Sequence, residues 1–302
     1  MTHRKAVALM LLVTLLWSTA GVVTRHLEAA RSFEITFWRS AFNALALSIA
    51  FSVMRGPAFW RALARAPWPV WVSGLCWSVM YSAFMVAITM TSVANVLVTM
   101  STGPLLTAVI ARAVLGHRLA ARTWGAIAFA GAGIAWMFGN EAGASSADQL
   151  IGIAVAFCVP VAGAVNWTLL QHVHHGQADE GNDMMSAVLI GALISMLGML
   201  PFSLPLQASA HDLTLLALLG VFQLAVPCLL VVRVTRVLPG PEVSLLGLLE
   251  VVLGVAWVWL GAGERPSPAT LVGGTLVIGA LLVNEALAMR ASADEPAVSP
   301  IA

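Results

Sequence analysis

The chain has 302 residues, of which 60% are hydrophobic and only 10% carry a charged side chain. Soluble domains carry about 25% charged residues, so the mean hydropathy of +0.91 places this chain in a lipid bilayer. The net charge of +1 gives no basis for nucleic-acid binding, and three cysteines dispersed in apolar runs argue against both disulfides and a zinc site.

Apolar residues fall into ten runs, and each run approaches the ~20 residues that one bilayer crossing requires. The segments between the runs are short and carry glycine, proline and polar residues, so none is expected to fold as a soluble domain. The sequence therefore predicts an all-α, polytopic membrane protein with ten transmembrane helices. The runs cover residues 6–27, 33–54, 70–91, 93–115, 124–140, 150–173, 184–203, 213–238, 242–262 and 270–289.

Lysine and arginine are distributed unequally between the two sides that this topology defines. With the N-terminus inside, eleven basic residues fall on one side and three on the other, which indicates that both termini are cytoplasmic. The larger set is Arg4, Lys5, Arg55, Arg61, Arg65, Arg112, Arg118, Arg122, Arg233, Arg236 and Arg290. The smaller set is Arg25, Arg31 and Arg265, and Arg39 remains within the second run.

Two segments about half a chain apart share one pattern. Residues 114–137 and 261–283 each contain a glycine, a polar residue and an arginine, then a short loop ending in threonine and a glycine-dotted apolar helix. The offset between them is about 147 residues. A unit of five spans used twice places its second copy upside down, because five is odd. The chain is therefore predicted to consist of two inverted five-helix repeats, a common plan of secondary transporters.

Several motifs carry a resemblance that extends over nearly the whole chain. They are "LLWSTAGVVTRHL" in the first span, "FWRSAFNALAL" in the second, "TGPLLTAVIARAVLGHRLAARTWG" across the fourth and fifth, and "LLEVVLGVAWVWLGAGERPSPATLVGGTLVIGALLV" across the last two. Through these motifs the chain resembles the drug/metabolite transporter superfamily. Within that superfamily it is similar to the ten-span branch with two EamA-type repeats, and in particular to its amino-acid and metabolite exporters. It departs from the pattern at His117, where glutamate is usual, and at Val251, where proline is usual.

The resemblance implies a secondary transporter that exports small metabolites, with amino acids as the leading class, by alternating access across the inner (plasma) membrane. Its expected partners are a small-molecule substrate and the lipid bilayer, without nucleic acid, cofactor or metal, and both monomer and homodimer remain open. No phosphate loop of the form G-x-x-x-x-G-K-[ST] occurs in the sequence. The expected division is a first EamA-type repeat at 1–140, a second at 150–290 and a disordered cytoplasmic tail at 291–302.

Polar residues recur at three- and four-residue spacing inside several spans, which places them on one helix face. Lipid cannot satisfy such side chains, so these faces are expected to line the bundle interior or a wet cavity. The candidate substrate-binding residues are Trp17, Ser18, Arg39, Asn43, Trp77, Tyr81, Asn95, Thr99, Trp167, Gln223, Glu250 and Trp257.

Arg39 and Glu250 are the charged residues among these candidates, and each has two interpretations. Arg39 either holds a carboxylate of the substrate or of a gate, or ties its helix to carbonyls or to an acid on a neighbouring helix. Glu250, near mid-membrane, is either a ligand for a substrate amine and a protonation site, or a hydrogen-bonded structural acid.

Three prolines lie inside predicted spans, where each removes a backbone donor and loosens a helical turn. They are interpreted either as hinges or as static kinks, and they are Pro104, Pro160 and Pro227. The interior tryptophans, together with Tyr81, suit an apolar or aromatic side chain or a flat cation, or else serve helix packing alone. Three histidines, His172, His174 and His175, fall in an expected mobile loop and are not expected to bind metal.

Other function classes lack the motifs they need. An intramembrane enzyme would carry a nucleophile with its base or a metal motif, and neither H-E-x-x-H nor G-x-S-x-G occurs, so the chain is not expected to be an enzyme. A passive channel would need filter-like loops rich in carbonyls, and the sequence has no repeat of such loops. The alternative within transport is a multidrug or cationic-compound exporter, because Glu250 and the tryptophans also suit a cation.

Overall fold

A computed structural model describes residues 1–115, 121–142, 147–175, 183–238 and 240–294. Within these ranges the regular secondary structure is helical and there is no strand, as the sequence predicts. The helices are α1 (His3–Ser18), α2 (Ala20–Thr24), α3 (Ser32–Arg55), α4 (Ala58–Ala64), α5 (Trp68–Met90), α6 (Val93–Met100), α7 (Gly103–Leu115), α8 (Ala121–Ala142), α9 (Ala147–His175), α10 (Met184–Ser203), α11 (Ala210–Leu218), α12 (Val226–Val234), α13 (Gly240–Ala262) and α14 (Pro268–Asp294), with a π-helix (Leu219–Ala225) between α11 and α12.

A few sequence-based expectations concern residues outside the described part of the chain. These are the unusual His117, most of the loop expected at 140–149, the side chains of His174 and His175, and the tail from 295 onward.

Each apolar run that the sequence predicts overlaps one helix or two or three consecutive helical segments. In the described residues, seven segments are long and apolar enough to cross a membrane. They are His3–Thr24, Ser32–Arg55, Trp68–Met90, Val93–Val114, Ala147–Leu170, Met184–Ser203 and Ala210–Val234. Shorter apolar helices follow at Leu249–Ala262 and Pro268–Asn284, and the full number of ten spans stays a prediction.

The connection between the second and third apolar runs contains the short helix α4. Pro57 precedes the first turn of α4, where backbone N–H groups have no partner within the helix, so the N–H that proline lacks is not needed. Phe59 is buried, and its ring stacks on that of Phe51 with 4.8 Å between centroids. One aromatic contact thus stabilises a helix too short for its hydrophobic period to be visible in the sequence.

Two of the predicted spans are interrupted by hydroxyl side chains that bond back to their own helix. Ser18 and Thr19 donate to the Leu15 and Leu16 carbonyls at 2.7 Å, where α1 gives way to α2. Ser101 and Thr102 do the same between α6 and α7. Such bonds compete with the helical ladder and bend it, so both spans consist of two helices.

Small residues bring the central helices into close contact. A Cβ built on Gly191 of α10 would lie 2.5 Å from the Trp77 Cβ of α5, and one built on Gly133 of α8 would lie 2.8 Å from the Gly273 carbonyl of α14. These backbones touch because a hydrogen atom replaces the side chain at the crossing point. The helices of the fifth and tenth runs therefore approach each other closely at Gly133.

One end of the bundle, here called the Arg25 end, is held by several carboxylates. Arg25 Nε donates to Glu264 at 2.6 Å, while its two terminal nitrogens donate to the Ile88 and Thr91 carbonyls at 2.8 and 3.1 Å. Glu264 also accepts from the Val93 N–H at 2.8 Å. The end of α2, the α5–α6 turn and the loop before α14 are thereby tied together.

Two further carboxylates hold the same end. Asp212 accepts the backbone N–H groups of Glu28, Ala29 and Ala30 at 2.8–2.9 Å, which fixes the loop after α2 to the start of α11. Glu34 accepts from the N–H groups of residues 207 and 208 at 2.8 and 2.7 Å. The Arg25 end is therefore closed by bonds between segments distant in sequence.

The opposite end, here called the Arg55 end, carries an ion pair and a cavity in the described part of the chain. Arg55 pairs with Asp183, and its guanidinium lies 5.1 Å from the Phe51 ring centroid. A surface cavity of about 330 Å³ lies there, lined in part by Phe59 and Arg65.

Candidate functional site

Arg39 is buried inside the bundle, with 2% of its surface exposed. Its Nε and one terminal nitrogen donate to the Gln223 side-chain oxygen at 3.1 and 2.8 Å, and its other terminal nitrogen points at the Tyr81 carbonyl at 3.5 Å. The guanidinium also lies 5.7 Å from the Phe84 ring centroid. Among the described residues no carboxylate is within ion-pair distance of it, so the charge is held by neutral acceptors alone.

A π-helix places Gln223 opposite Arg39. Pro227 has no N–H to give to the carbonyl four residues back, so the helix widens by one residue before it. Val226 accordingly donates to the Val221 carbonyl, five residues back. Gln223 is buried and its amide nitrogen donates to the Trp17 carbonyl at 3.3 Å, which fixes the orientation of the oxygen that faces Arg39.

Gly220 allows the π-helix to approach α3 at the level of Arg39. A Cβ built on Gly220 would lie 2.7 Å from the Arg39 carbonyl and 2.6 Å from the Phe42 Cβ. Any larger residue would have to separate the two backbones. The bond between Arg39 and Gln223 therefore depends on a glycine one turn earlier in the π-helix.

Next to Arg39 lies a group of buried polar side chains that make no hydrogen bond within the described part of the chain. Neither amide atom of Asn43 is bonded, nor the hydroxyl of Tyr81, nor the indole N–H of Trp77. Asn43 follows Arg39 by one helical turn, and the Tyr81 hydroxyl interacts with both the Asn43 side chain and the Cys228 thiol.

Aromatic rings form one wall beside this group. The Trp77 and Tyr81 rings lie 5.6 Å apart, and Trp167 of α9 meets Trp77 edge-on at 5.8 Å. These spacings are typical of favourable aromatic pairs. The two indoles and the phenol predicted to line a cavity are therefore brought together.

Glu250 of α13 completes the charged part of the site. It is half-buried and interacts electrostatically with Arg39, although the two groups do not form an ion pair. Its carboxylate makes no hydrogen bond to any residue that the structure describes.

The remaining sequence candidates divide into two sets. Trp257 donates its indole N–H to the Ser18 hydroxyl at 3.1 Å, which joins α13 to α1 one residue beyond Trp17. Asn95 instead accepts from Thr270 of α14 at 2.5 Å, and the Thr99 hydroxyl donates to the Asn95 carbonyl at 2.8 Å. Asn95 and Thr99 thus lie at the contact between α6 and α14, whereas Ser18 and Trp257 adjoin the Arg39 site.

The three prolines occupy different local settings. Pro160 lies inside the long helix α9, Pro104 in the first turn of α7, and Pro227 in the first turn of α12 after the π-helix. The break at Pro104 faces α9, because a Cβ built on Gly103 would lie 3.8 Å from the Pro160 Cβ. The choice between hinges and static kinks stays a prediction.

Sequence reasoning anticipated one of the two partners of Arg39. It offered carbonyls or an acid on a neighbouring helix, and the structure shows the Tyr81 backbone carbonyl of α5, but the Gln223 amide oxygen was not foreseen. Cys228, which the sequence did not single out, lies near Arg39 and Tyr81. The available signal was its position five residues after Gln223, but the register of a π-helix is not visible in a sequence.

The apolar helices and the buried polar centre between them define the class of multi-pass membrane proteins. Both halves of the chain match the model of the EamA-like transporter family, at residues 4–139 and 150–285. The chain belongs to this family, carries two EamA repeats and is a membrane transporter of small molecules.

A solved crystal structure of another protein has the same fold. It aligns with a TM-score of 0.65 and 21% sequence identity, over 96% of this chain and 99% of that one. At this identity the likeness concerns the fold alone. No curated protein matches the chain.

The site lies between the two repeats. The first match contains Trp17, Arg39, Asn43, Trp77 and Tyr81, and the second contains Trp167, Gln223 and Glu250. A small molecule bound here would contact both halves of the protein, which is the arrangement that alternating access requires.

Proposed function

We propose that the chain exports small metabolites that carry a carboxylate, with amino acids as the leading class, by alternating access across the inner membrane. The observation that carries the proposal is the Arg39 guanidinium, which is buried, charged and held by neutral acceptors. A guanidinium in such a setting favours an anion, because its planar fork matches a carboxylate.

Glu250 supports amino acids in particular. A zwitterion needs an anion site and a cation site a few ångströms apart, and Arg39 and Glu250 provide opposite charges that interact without touching. We assign the substrate carboxylate to Arg39 and the substrate amine to Glu250. Each group of the substrate would thereby meet a charge of the opposite sign.

The closed Arg25 end supports alternating access. In the inferred cycle, the bonds of Arg25, Asp212 and Glu34 keep that end shut while the substrate enters from the Arg55 end. Release then requires those bonds to break and the Arg55 end to close. The prolines of α7, α9 and α12 are assigned as hinges for this exchange.

The proposal includes the membrane topology. We assign ten spans in two inverted five-helix repeats, at 1–140 and 150–290, with both termini and the Arg55 end in the cytoplasm. In a cysteine-free background, cysteines introduced at Ala64 and Gln207, both exposed, should label from opposite faces of the membrane. Labelling of both positions from one face contradicts the topology.

The function is tested by flux in proteoliposomes. Purified protein is reconstituted, and uptake of labelled amino acids and of cationic dyes is measured with and without a pH gradient. Saturable amino-acid flux that unlabelled amino acids compete away supports the proposal. Flux of the dyes alone would instead support the alternative, an exporter of drugs or cationic compounds that uses Glu250 and the tryptophans.

A further inference from the structure

The cavity at the Arg55 end lies where the surface of the protein changes from apolar to charged. Val53 and Met54, in the last turn of α3, are 81% and 67% exposed, which suits contact with acyl chains. Arg55 follows them directly, and Trp60 and Trp68 are exposed a little further along the chain. Because tryptophan is enriched where a bilayer meets water, this cavity belongs at the depth of the lipid headgroups.

Helix α4 beside the cavity has the form of a helix that lies along a membrane surface. Its seven residues extend about 10 Å, which is too short to cross a bilayer. Phe59 is buried and Leu63, one turn later, is half-buried, so this side of α4 packs on the protein. Trp60 and Arg61 are exposed. A short helix with one apolar, buried side and an exposed basic side is typical of the interface.

Small residues leave the cavity open. Ala58, Ala62 and Ala66 follow one another at four-residue spacing and line one side of it, while Asp183 and Ser186 at the start of α10 line another. The volume of about 330 Å³ lies at the lower end of the range for pockets that enclose drug-sized ligands. The phosphate and glycerol of a lipid headgroup are smaller than such ligands and fit this space.

Positive charge exceeds negative charge around the cavity. Arg55 pairs with Asp183, and its guanidinium lies 5.1 and 5.8 Å from the ring centroids of Phe51 and Phe59, so its position is fixed. Arg65 also lines the cavity, is exposed, and makes no ion pair with any residue that the structure describes. One arginine at the cavity is therefore neutralised and one is not.

Arg61 adds a second charge of the same kind. It is exposed, makes no ion pair within the described part of the chain, and precedes Arg65 by four residues, which is about one helical turn. Like charges at this spacing repel and destabilise a helix, and an anion placed between them removes the repulsion. An anionic group is therefore the natural complement of this rim.

We propose that the cavity binds the headgroup of an anionic phospholipid, with the phosphate between Arg61 and Arg65 and the acyl chains along Val53 and Met54. A guanidinium suits a phosphate, because its planar fork donates two parallel hydrogen bonds. Phosphatidylcholine offers the same phosphate together with a cation, which the arginines repel. A free phosphate lacks the acyl chains that the exposed apolar residues favour. Basic pockets near the ends of transmembrane helices bind lipid headgroups in this way. The proposal depends neither on the transported substrate nor on the orientation in the membrane.

Competitive lipid binding tests the site. Purified protein in detergent is mixed with equal amounts of phosphatidylglycerol and phosphatidylcholine, and the lipids that it retains are identified by native mass spectrometry. The wild type should prefer phosphatidylglycerol by at least about tenfold, as expected for a hydrogen bond between charged groups. Arg65→Gln should lose most of this preference. Ala62→Leu should lose it as well, because the larger side chain would occupy the cavity.

Two variants are matched controls. Arg122→Gln removes another exposed arginine, which does not line the cavity, and Ala64→Leu adds the same side chain to α4 away from the cavity. Both should keep the wild-type preference. Since Arg65 and Ala62 are exposed, Arg65→Gln and Ala62→Leu should melt close to the wild-type temperature without added lipid, so that their loss of binding reports on the site.

Several outcomes would overturn the proposal. Equal retention of the two lipids by the wild type overturns it, and so does an unchanged preference in Arg65→Gln or in Ala62→Leu. An equal loss in Arg122→Gln overturns it too, because the preference would then come from the general charge of the surface. Displacement of phosphatidylglycerol by an equal concentration of inorganic phosphate would show a site for the free ion and not for a lipid. None of these results bears on the proposed transport function, which is tested by flux.

Discussion

Replacing Gln223 by glutamate should separate folding from transport. The side-chain oxygen of Gln223 accepts two hydrogen bonds from Arg39, at 2.8 and 3.1 Å. Glutamate has the same shape, so its carboxylate would occupy the same place and neutralise the guanidinium. The variant loses the hydrogen bond from the Gln223 amide to the Trp17 carbonyl, which is worth about 1 kcal/mol. The two hydrogen bonds from Arg39 remain and become stronger, because their acceptor is now a charged carboxylate. We therefore expect Gln223→Glu to fold and to melt close to the wild-type temperature.

Transport by the same variant should fall steeply. Two unit charges 4 Å apart interact by about 4 kcal/mol at an effective dielectric constant of 20, and that attraction is no longer available to the substrate. Because about 1.4 kcal/mol corresponds to a tenfold change in affinity, this loss should lower flux at low substrate concentration by two to three orders of magnitude.

Gln223→Met is the matched comparison for Gln223→Glu, because it removes the acceptor without adding charge. It should be less stable by about 3 kcal/mol, since hydrogen bonds to charged groups contribute about 1.5–3 kcal/mol. It should nevertheless keep measurable flux per folded molecule. Both properties are read from melting curves in detergent and from proteoliposome uptake. A well-folded Gln223→Glu protein with wild-type flux would refute the reasoning that the guanidinium must be free to meet an anion.

Three further changes test how the structure holds the site. Gly220→Ala should reduce both stability, by about 1–3 kcal/mol, and flux, because its Cβ would meet the Arg39 carbonyl at 2.7 Å, whereas Gly198→Ala, with open space around it, should change neither. Equal melting temperatures for these two variants would contradict the packing argument. Glu264→Gln should destabilise the Arg25 end by about 1 kcal/mol and increase labelling from outside of a cysteine placed near it, while Arg265→Gln on the same loop should not. Asp212→Ala should cost about 2–4 kcal/mol, because three backbone N–H groups lose their acceptor, and Asp148→Ala, at an exposed position, should be neutral in the same melting assay.

Much of the fold follows from the sequence because a bilayer leaves few choices. Backbone groups in lipid must bond within their own segment, so long apolar runs predict helices with little ambiguity. The interruptions were harder to foresee. Thr19 and Thr102 break their spans through local hydroxyl bonds, and Pro227 widens the helix before it, yet neither effect leaves a periodic signal.

The candidate site was only partly accessible from the sequence. Polar stripes predicted that Arg39, Asn43 and Tyr81 face inward, because unsatisfied side chains cannot face lipid. Which helices contact one another is a property of tertiary packing. The sequence therefore could not show that Asn95 bonds to Thr270 of α14 and does not line the Arg39 site. The amide opposite Arg39 was equally out of reach, since the register of the π-helix places it there.

The most direct test of the central claim compares Arg39 with the substrate carboxylate. Competition for proteoliposome flux is measured for an amino acid and for its carboxamide analogue, which lacks the negative charge, in the wild type and in Arg39→Gln. We expect removal of the carboxylate to weaken competition in the wild type by at least about 100-fold and to matter little in a folded Arg39→Gln protein, because only the wild type has a charge to pair with it. A folded Arg39→Gln protein that transports at the wild-type rate and still discriminates between the two analogues would contradict the account.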